Sequence, residues 1–255
     1  MFVRGATIVS LKQVGKSFAN GTQALERLDL DVRAGDFVTL LGPSGCGKST
    51  ALRMIASLTQ PSRGQVAWSG VRTAGDVGFV FQEPTLMPWA TVEKNVALPL
   101  DLRGRRDEAV RRRVAEALER VGLAGFANAY PRELSGGMKM RVSIARALVT
   151  NAKVLLMDEP FAALDEITRF KLNNDLMALA HSLGMTVVFV THSVFESVFL
   201  SSRIVVMTPR PGRVFRELQI DEASPRSDAF RTSAVYAEYC RRVSEALHAA
   251  MEAAP

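Results

Sequence analysis

The chain has 255 residues, of which 47% are hydrophobic and 23% charged, a composition typical of a globular protein with a buried core. Its formal net charge of +6 permits anionic partners such as nucleic acid, a membrane surface or a phosphate-bearing ligand, and identifies none of them. Cys46 and Cys240 are too few for a disulfide framework, so a reduced cytosolic compartment is expected. A secretory signal is not expected, and no run reaches the roughly 18 to 20 apolar residues of a membrane helix.

Strand-like and helix-like segments alternate along the chain, which predicts an α/β domain with a largely parallel sheet. The predicted strands are Ile8–Leu11, Leu28–Val32, Phe37–Leu41, Gln65–Ser69, Val77–Phe81, Lys153–Met157, Thr186–Val190 and Val205–Thr208. The predicted helices are Lys48–Leu58, Asp107–Val121, Lys139–Val149, Asp165–His181 and Val235–Met251. A turn is predicted at Pro61–Gly64, and residues 84–150 are expected to be mainly helical.

Much of the positive charge lies in one run, Arg103 to Arg113, which leads into the predicted helix Asp107–Val121. No aromatic residues interleave these basic side chains, as they do in proteins that bind single-stranded nucleic acid by stacking. A solvated helix face is therefore the preferred interpretation, and no nucleic-acid partner is expected.

A glycine-rich loop follows the strand Phe37–Leu41 and leads into a predicted helix, which is the context of a phosphate-binding loop. Its glycines let backbone N–H groups turn toward an anion, and the helix start adds the positive end of its dipole. Lys48 is predicted to meet the terminal phosphates of a nucleotide and Ser49 to meet Mg²⁺. A flexible Gly/Ser loop is the alternative, which the spacing disfavours. The predicted binding residues are Gly42, Pro43, Ser44, Gly45, Cys46, Gly47, Lys48, Ser49 and Thr50.

Two acidic residues, Asp158 and Glu159, follow the apolar run Val154–Met157. Open α/β sheets bind ligands at the carboxyl ends of their strands. Asp158 is therefore predicted to bind Mg²⁺, and Glu159 to act as the general base that polarises an attacking water. A solvent-exposed acidic turn explains the pair equally well in isolation, and the neighbouring phosphate loop favours the functional interpretation.

A third motif, Leu134-Ser135-Gly136-Gly137-Met138, precedes a predicted helix. Here the sequence resembles the ATP-binding cassette (ABC) family, whose signature reads Leu-Ser-Gly-Gly-Gln, with Met138 in place of Gln. Ser135 and the amides of Gly136 and Gly137 would form a phosphate-facing cap at the helix start, and an ordinary serine helix cap is the alternative. The resemblance implies that two copies pair head to tail, with ATP between the loop of one and the signature of the other.

The resemblance also implies roles for four residues outside these motifs. Gln82 would sense Mg²⁺ and water near a membrane partner, His192 would contact the terminal phosphate, and Asp165 would cross the dimer interface. Phe18 stands where the family stacks an aromatic ring on adenine, and core packing is the alternative for this residue. The implied cofactors are ATP and Mg²⁺; the implied catalytic residues are Glu159, His192, Gln82 and Lys48, and the implied metal ligands are Ser49, Gln82 and Asp158.

The resemblance covers about Val9 to Gly212 and implies one ABC cassette. Its fold class would be α/β, with a phosphate-loop NTPase (RecA-like) core, an N-terminal antiparallel β subdomain and a helical subdomain. The expected bounds are residues 1–84 and 151–212 for the core with the β subdomain, 85–150 for the helical subdomain with the signature, and 213–255 for a short tail.

Four segments are similar to the bacterial nitrate/sulfonate/taurine importer group: Phe81–Trp89, the Leu-Ser-Gly-Gly-Met variant, Phe161–Asp165 and Arg210–Gly212. The implied function is ATP-driven uptake of a small solute through a separate membrane permease, at the cytoplasmic face of the inner membrane. A periplasmic solute-binding protein would take part indirectly. The permease is expected to dock on a helical segment, Pro84–Val96, through Leu86, Met87 and Trp89, for each of which core packing is the alternative.

Three other functions compete with import. A soluble ABC ATPase acting on DNA or ribosomes is disfavoured, because the chain lacks both a long coiled-coil insertion and a second cassette. A phosphate-loop kinase would explain Lys48 and Ser49 and leave Leu134–Met138 and His192 unexplained. An exporter of the same family stays open, because the membrane subunits set the direction of transport. Alkylation of Cys46, inside the loop, is predicted to block ATP binding.

Overall fold

The computed structural model describes residues 5–70, 75–105 and 107–253, so Arg106 of the basic run lies outside the described residues. The backbone groups into two units, Met1–Arg72 with Ala180–Pro255, and Thr73–Leu179. The strands are β1 (Thr7–Ser17), β2 (Gln23–Arg33), β3 (Phe37–Leu41), β4 (Arg63–Trp68), β5 (Val77–Val80), β6 (Val154–Asp158), β7 (Thr186–Thr191), β8 (Arg203–Met207) and β9 (Val214–Gln219). The α-helices are α1 (Lys48–Ile55), α2 (Val92–Asp101), α3 (Glu108–Arg120), α4 (Gly136–Leu148), α5 (Glu166–Leu183), α6 (Val194–Leu200), α7 (Asp228–Arg231) and α8 (Ala234–Glu252). The subdomain bounds expected from the sequence stay a prediction.

An antiparallel sheet with the strand order β2-β1-β4 lies in the first unit. Along most of β2, buried and exposed residues alternate, which is the pattern of a strand with one face covered. Val9 of β1 pairs with Val32, and Leu11 pairs with Leu30. Because directly paired residues share a face, these apolar side chains form one covered layer.

A second group of strands in the first unit positions the phosphate loop. β3 pairs in parallel with both β7 and β8, and β9 joins β8 in the antiparallel direction. Every residue of β3, β7 and β8 is buried, as expected for parallel strands that are covered on both faces. The carboxyl end of β3 opens into residues 42–47, and the carboxyl end of β7 leads to His192.

The second unit combines a parallel strand pair, β5 and β6, with a group of helices. α3 buries Val110, Val114, Ala117 and Leu118, which lie three or four residues apart and so share one helix face. Asp107 caps α3 by accepting a hydrogen bond from the Val110 N–H (3.0 Å). This confirms the helix predicted over Asp107–Val121, because both end residues are its caps.

The C-terminal segment packs into the first unit, where α8 contacts α6 and β8. The Tyr236 hydroxyl donates to the carbonyl of Phe195 in α6 (3.0 Å). Arg226 donates to the carbonyls of Val198, Phe199 and Ser201 at the end of α6. Burial lowers the pKa of Arg226 to about 10, so the guanidinium stays charged at neutral pH and satisfies carbonyls that the helix leaves open.

Three predicted helix bounds are wrong. α1 ends at Ile55 and not at Leu58, because Ser57 has a left-handed φ of 62°. α4 begins at Gly136 and not at Lys139, because Ser135 already caps the helix. The segment Pro84–Val96 is helical only from Val92, where α2 begins.

Three elements of the described residues were not predicted, namely α6, the four-residue α7 and β9, and one turn was placed wrongly. β4 begins at Arg63, so the end of the predicted turn Pro61–Gly64 is already strand. α6 has only seven residues, too few for a clear helical period. β9 is an edge strand with exposed residues in its middle and lacks the apolar run of a buried strand.

Candidate functional site

The phosphate loop joins β3 to α1 through residues 42–47, and two of its glycines adopt left-handed backbone angles. Gly45 has a φ of 76° and Gly47 a φ of 101°, which side chains with a Cβ rarely adopt. A Cβ at Gly47 would lie 2.7 Å from the carbonyl oxygen of Ala24. Conformation and space therefore both require glycine at this position.

The Lys48 ammonium is held inside this loop. The residue is 4% exposed, and Nζ donates hydrogen bonds to the carbonyl oxygens of Gly42 (2.8 Å) and Pro43 (2.9 Å). A buried charge is costly unless it is hydrogen-bonded, so these carbonyls stabilise the cation in place. An anion entering the loop would meet this charge and the N–H groups of the α1 N-terminus.

The rest of the predicted loop residues are contiguous with Lys48. Ser44 and Gly45 form an exposed rim. Cys46 is 1% exposed, with Sγ 3.0 Å from the position of a Cβ at Gly42. The half-buried residues are Pro43, Gly47, Ser49 and Thr50.

Phe18 follows β1 in a tight turn, where its N–H donates to the Thr22 carbonyl (2.9 Å) and its carbonyl accepts from the Gly21 N–H (3.0 Å). The residue is 45% exposed, and the Lys16 Nζ lies 5.4 Å from the ring centroid. This exposure excludes the alternative that Phe18 is a core residue. An exposed ring at a turn can stack on a planar base.

His192 lies between β7 and α6 and is exposed. The Ser193 hydroxyl caps α6 by accepting from the Glu196 N–H (3.3 Å), and the Thr191 hydroxyl donates to the Glu196 carboxylate (2.5 Å). Residues on both sides of the imidazole are therefore tied to the first turn of α6, which fixes the backbone that carries it.

In the second unit, Asp158 is the last residue of β6 and is 6% exposed. Glu159 follows it, is half-buried and has a φ of 45°. The left-handed conformation costs roughly 1 to 2 kcal/mol in a residue with a Cβ, and such strain is concentrated at functional sites. The two carboxylates thus differ in setting, one at the end of the strand and one on a strained turn.

The signature motif begins α4, and Ser135 is its N-cap. The Ser135 hydroxyl accepts from the Met138 N–H (3.3 Å), so the ordinary capping role is present. A Cβ at Gly137 would lie 2.7 Å from Cγ2 of Thr168, and one at Gly136 would lie 3.2 Å from Cδ2 of Leu164. Both glycines thus lie against the segment that contains Asp165.

Asp165 precedes α5 and is exposed. Its carboxylate accepts a hydrogen bond from the Thr168 N–H (2.9 Å), and this bond lowers the pKa of Asp165. Arg169 donates to the neighbouring carbonyl of Leu164 (2.8 Å). The turn before α5 is therefore shaped by its own polar groups.

Two residues that the sequence analysis did not single out hold the segment after Gln82. Asn95 is fully buried; its amide donates to the carbonyls of Met87, Ala90 and Thr91 and accepts from the Met87 N–H (2.7 Å). Arg146 donates to the carbonyls of Pro84 (2.7 Å) and Thr85 (2.9 Å). A buried Asn and an Arg inside helices carry no local motif, so no sequence signal identified them.

This braced segment presents an exposed aromatic side chain. Trp89 is 77% exposed, whereas Leu86 and Met87 are half-buried. Gln82 is exposed at the start of the segment. Core packing is thereby excluded for Trp89.

None of the helices within residues 5–70, 75–105 and 107–253 has the length and apolar character needed to cross a membrane. In the same residues, no group of three or more His, Cys, Asp or Glu side chains could hold a metal ion.

Sequence comparisons place the chain among transporter proteins. A family profile described as ABC transporter matches residues 25–162. The aliphatic sulfonates import ATP-binding protein SsuB 1 of Pseudomonas syringae pv. syringae is 47% identical over 86% of this chain and 89% of that protein. The aliphatic sulfonates import ATP-binding protein SsuB of Bacillus cereus is 44% identical over 86% of this chain and 88% of that protein.

Solved structures of similar fold agree with the sequence comparisons. The dimeric ATP-binding cassette MJ0796, bound to ADP and Pi in a post-hydrolysis state, has a TM-score of 0.73 and 36% identity, over 84% of this chain and 100% of that one. CbiO1 from Clostridium perfringens, part of the ABC transporter complex cbiONQ, has a TM-score of 0.77 and 26% identity, over 96% and 98%. The predicted fold class is confirmed. The chain therefore belongs to the ABC transporter family, as an ATP-binding and ATP-hydrolysing cassette.

Proposed function

We propose that this cassette energises uptake of a small solute, such as nitrate, a sulfonate or taurine, through a separate permease in a bacterial inner membrane. The proposal is supported by the names of two relatives, which are import proteins for aliphatic sulfonates at 47% and 44% identity. The structural observation that supports the use of ATP is the buried Lys48 ammonium, which lies inside a glycine-rich loop at the start of a helix.

ATP would bind with its base on Phe18 and its phosphates in the loop. The exposed Phe18 ring offers a stacking face. The α1 N-terminus and Lys48 offer positive charge from the backbone and from a side chain, which suits a polyphosphate. The other loop residues contribute chiefly through their backbone.

Mg²⁺ would be held by Ser49, Gln82 and Asp158. Their hydroxyl, amide and carboxylate oxygens are ligands that Mg²⁺ accepts in nucleotide sites, where few protein ligands are used. The low exposure of Asp158 supports this choice, because a buried carboxylate favours a nearby cation. The ion would neutralise charge on the phosphate oxygens.

Glu159 would polarise the attacking water, and His192 would donate a hydrogen bond to the terminal phosphate. The strained backbone of Glu159 supports a catalytic rather than a structural role. Hydrolysis would then depend mainly on placement and electrostatic stabilisation, as is general for phosphoryl transfer.

A second copy of the chain would complete the site. Ser135, Gly136 and Gly137 would cap the nucleotide of the partner copy, and Asp165 would cross the interface. The exposure of Ser135 and Gly136 supports this arrangement, as does the dimeric form of the similar cassette with ADP and Pi.

The permease would dock on the segment around Trp89, and a periplasmic solute-binding protein would deliver the solute. An exposed tryptophan on a backbone braced by Asn95 and Arg146 is suited to a protein contact. The chain would thus lie at the cytoplasmic face as a peripheral subunit.

The catalytic assignment is tested with Glu159→Gln. The variant should bind ATP like the wild type and hydrolyse it about 100 to 1,000 times more slowly, because a general base contributes on the order of 10² to 10⁴ in rate. Glu116→Gln, in an exposed position of α3, is the matched control and should retain wild-type turnover. Wild-type turnover in Glu159→Gln would refute the assignment.

The transport assignment is tested by isolating the tagged Glu159→Gln variant from gently solubilised native membranes with MgATP. We expect a multi-span permease to co-purify, and its solute-binding protein to bind taurine or another sulfonate, or nitrate. Recovery only with soluble DNA-associated or ribosome-associated proteins would overturn import and leave the ATPase assignment in place.

A further inference from the structure

A turn between β8 and β9 lies directly against the phosphate loop. A Cβ at Gly212 would lie 2.0 Å from the Cys46 carbonyl oxygen, and one at Gly42 would lie 3.1 Å from the Met207 carbonyl oxygen. The Gly212 N–H donates a hydrogen bond to the carbonyl oxygen of Ala24 (2.9 Å). The turn, which we call the backing turn (residues 208–212), is therefore packed against the loop backbone with no room for a side chain at Gly212.

The backing turn is itself held in shape by Thr208. Its hydroxyl donates to the carbonyls of Pro209 (3.1 Å) and Pro211 (3.3 Å) and accepts from the Arg213 N–H (3.1 Å). Thr208 is 5% exposed, so these bonds are shielded from water. The turn thus offers a firm base for the side chain of Arg210.

Arg210 makes a specific contact with the loop. Its Nε donates to the Gly45 carbonyl oxygen (3.0 Å), and its Nη2 lies 2.8 Å from the position of a Cβ at Gly45. In a trans peptide the C=O and the following N–H point in opposite directions. A Gly45 carbonyl held toward Arg210 therefore turns the Cys46 N–H the other way, where it bonds across the loop to Pro43 (3.4 Å).

We propose that Arg210 is a positioning residue for nucleotide binding, which fixes the orientation of the Gly45–Cys46 peptide and so the shape of the phosphate loop. This inference rests on the proposed nucleotide site. The bond is charge-assisted on the donor side, the stronger class of hydrogen bond. Without this bond, the peptide can rotate at Gly45, and part of the population leaves the loop conformation that is shaped for an anion.

The test measures ADP affinity and ATPase kinetics of the full chain with Arg210→Ala and Arg210→Gln. Arg210→Ala should weaken ADP binding about tenfold and raise the KM for ATP similarly, with kcat nearly unchanged, because a hydrogen bond to a charged group is worth about that factor. Arg210→Gln keeps an N–H donor, so its ADP affinity and its KM for ATP should lie between those of the wild type and Arg210→Ala. Arg216→Ala is the matched control: it removes a charge from β9 of the same hairpin, and its ADP affinity and ATPase kinetics should equal those of the wild type.

Measuring ADP affinity at high salt distinguishes a positioning role of Arg210 from a long-range attraction between its charge and the nucleotide. Arg210 is exposed, so a purely long-range charge effect would fade at about 0.5 M salt, where the screening length is only a few ångströms. We expect the tenfold difference to persist. An unchanged ADP affinity in Arg210→Ala would overturn the proposal, and so would an affinity difference that disappears in high salt. A lower kcat together with a lower melting temperature would also overturn it, because it would show a general loss of folding. Failure of the wild type to bind ADP would overturn the nucleotide site itself.

Discussion

The phosphate loop and the signature turn are both Ser/Gly segments that lead into a helix, and they are built differently. In the phosphate loop, Gly45 and Gly47 have left-handed angles, and Lys48 is buried against the loop carbonyls. In the signature turn, Gly136 and Gly137 are part of α4, and the Ser135 hydroxyl caps it. The first segment is shaped for an anion before any arrives, whereas the second is an ordinary helix start. We therefore propose that the phosphate loop sets the affinity for nucleotide and that the signature residues act later, on a nucleotide already bound.

The largest effect that would test this comparison comes from one added methyl group in each segment. Gly47→Ala should abolish measurable ADP binding and destabilise the fold by at least about 2 kcal/mol, because of the left-handed angle and the 2.7 Å approach to Ala24. Gly136→Ala meets only the flexible Leu164 side chain at 3.2 Å and should leave ADP affinity unchanged. ADP titration and thermal unfolding measure both. Equal losses in the two variants would contradict the distinction.

A smaller effect separates capping from phosphate contact at Ser135. Ser135→Ala should lose about 1 kcal/mol of unfolding free energy, because the α4 cap is removed. Ser135→Asp keeps a cap and suits the helix dipole, so its stability should return while ATPase activity falls further, since the carboxylate repels phosphate. Chemical denaturation and steady-state ATPase assays give the two readouts. Recovery of activity together with stability would show that Ser135 is only a cap.

The smallest effect is a pH dependence at Asp165. Its pKa is lowered by the Thr168 N–H bond, so the ionised form is favoured in the folded state. The resulting stability is complete above the unfolded-state pKa of about 3.9 and is lost as pH falls through the lower folded pKa. Compared with Asp165→Asn, the wild type should have a higher melting temperature at neutral pH and lose this margin in strong acid. A melting-temperature difference between the wild type and Asp165→Asn that does not change with pH would contradict a role for the ionised Asp165 carboxylate in stability.

The parts of the site that were predictable carry a local pattern. The strand Phe37–Leu41 was predicted with its observed bounds, and spacing alone identified Lys48. Asp107–Val121 was predicted because its apolar residues repeat every three or four positions. In these segments, neighbours along the chain determine the structure.

The unpredicted parts depend on contacts that no local motif marks, and several of these contacts join distant residues. Arg210 was noted only as part of a subgroup motif, and its contact with Gly45 joins residues 165 positions apart. Asn95 and Arg146 brace the segment 84–91, which lacks a helical conformation although its surroundings are helix-rich. Edge strand β9 has polar residues in its middle and no continuous apolar run, so its pairing with β8 defines it. Arg210 and Arg146 contact partners more than 60 positions away. Asn95 lies within eight residues of its partners, but a buried Asn inside a helix carries no motif that marks it.

Because Cys46 is buried inside the phosphate loop, its rate of alkylation can report how often the loop opens. With 1% of the residue exposed, a thiol reagent can react only when the loop opens, so the rate of alkylation reports how often that happens. Modification should still block ATP binding, but it should proceed slowly, and ADP should slow it further by stabilising the closed loop. Since Cys240 is also buried, a Cys240→Ala background would leave one labelling event to follow. The opening of a nucleotide site, ordinarily inferred from affinities, becomes a directly measurable rate in this cassette.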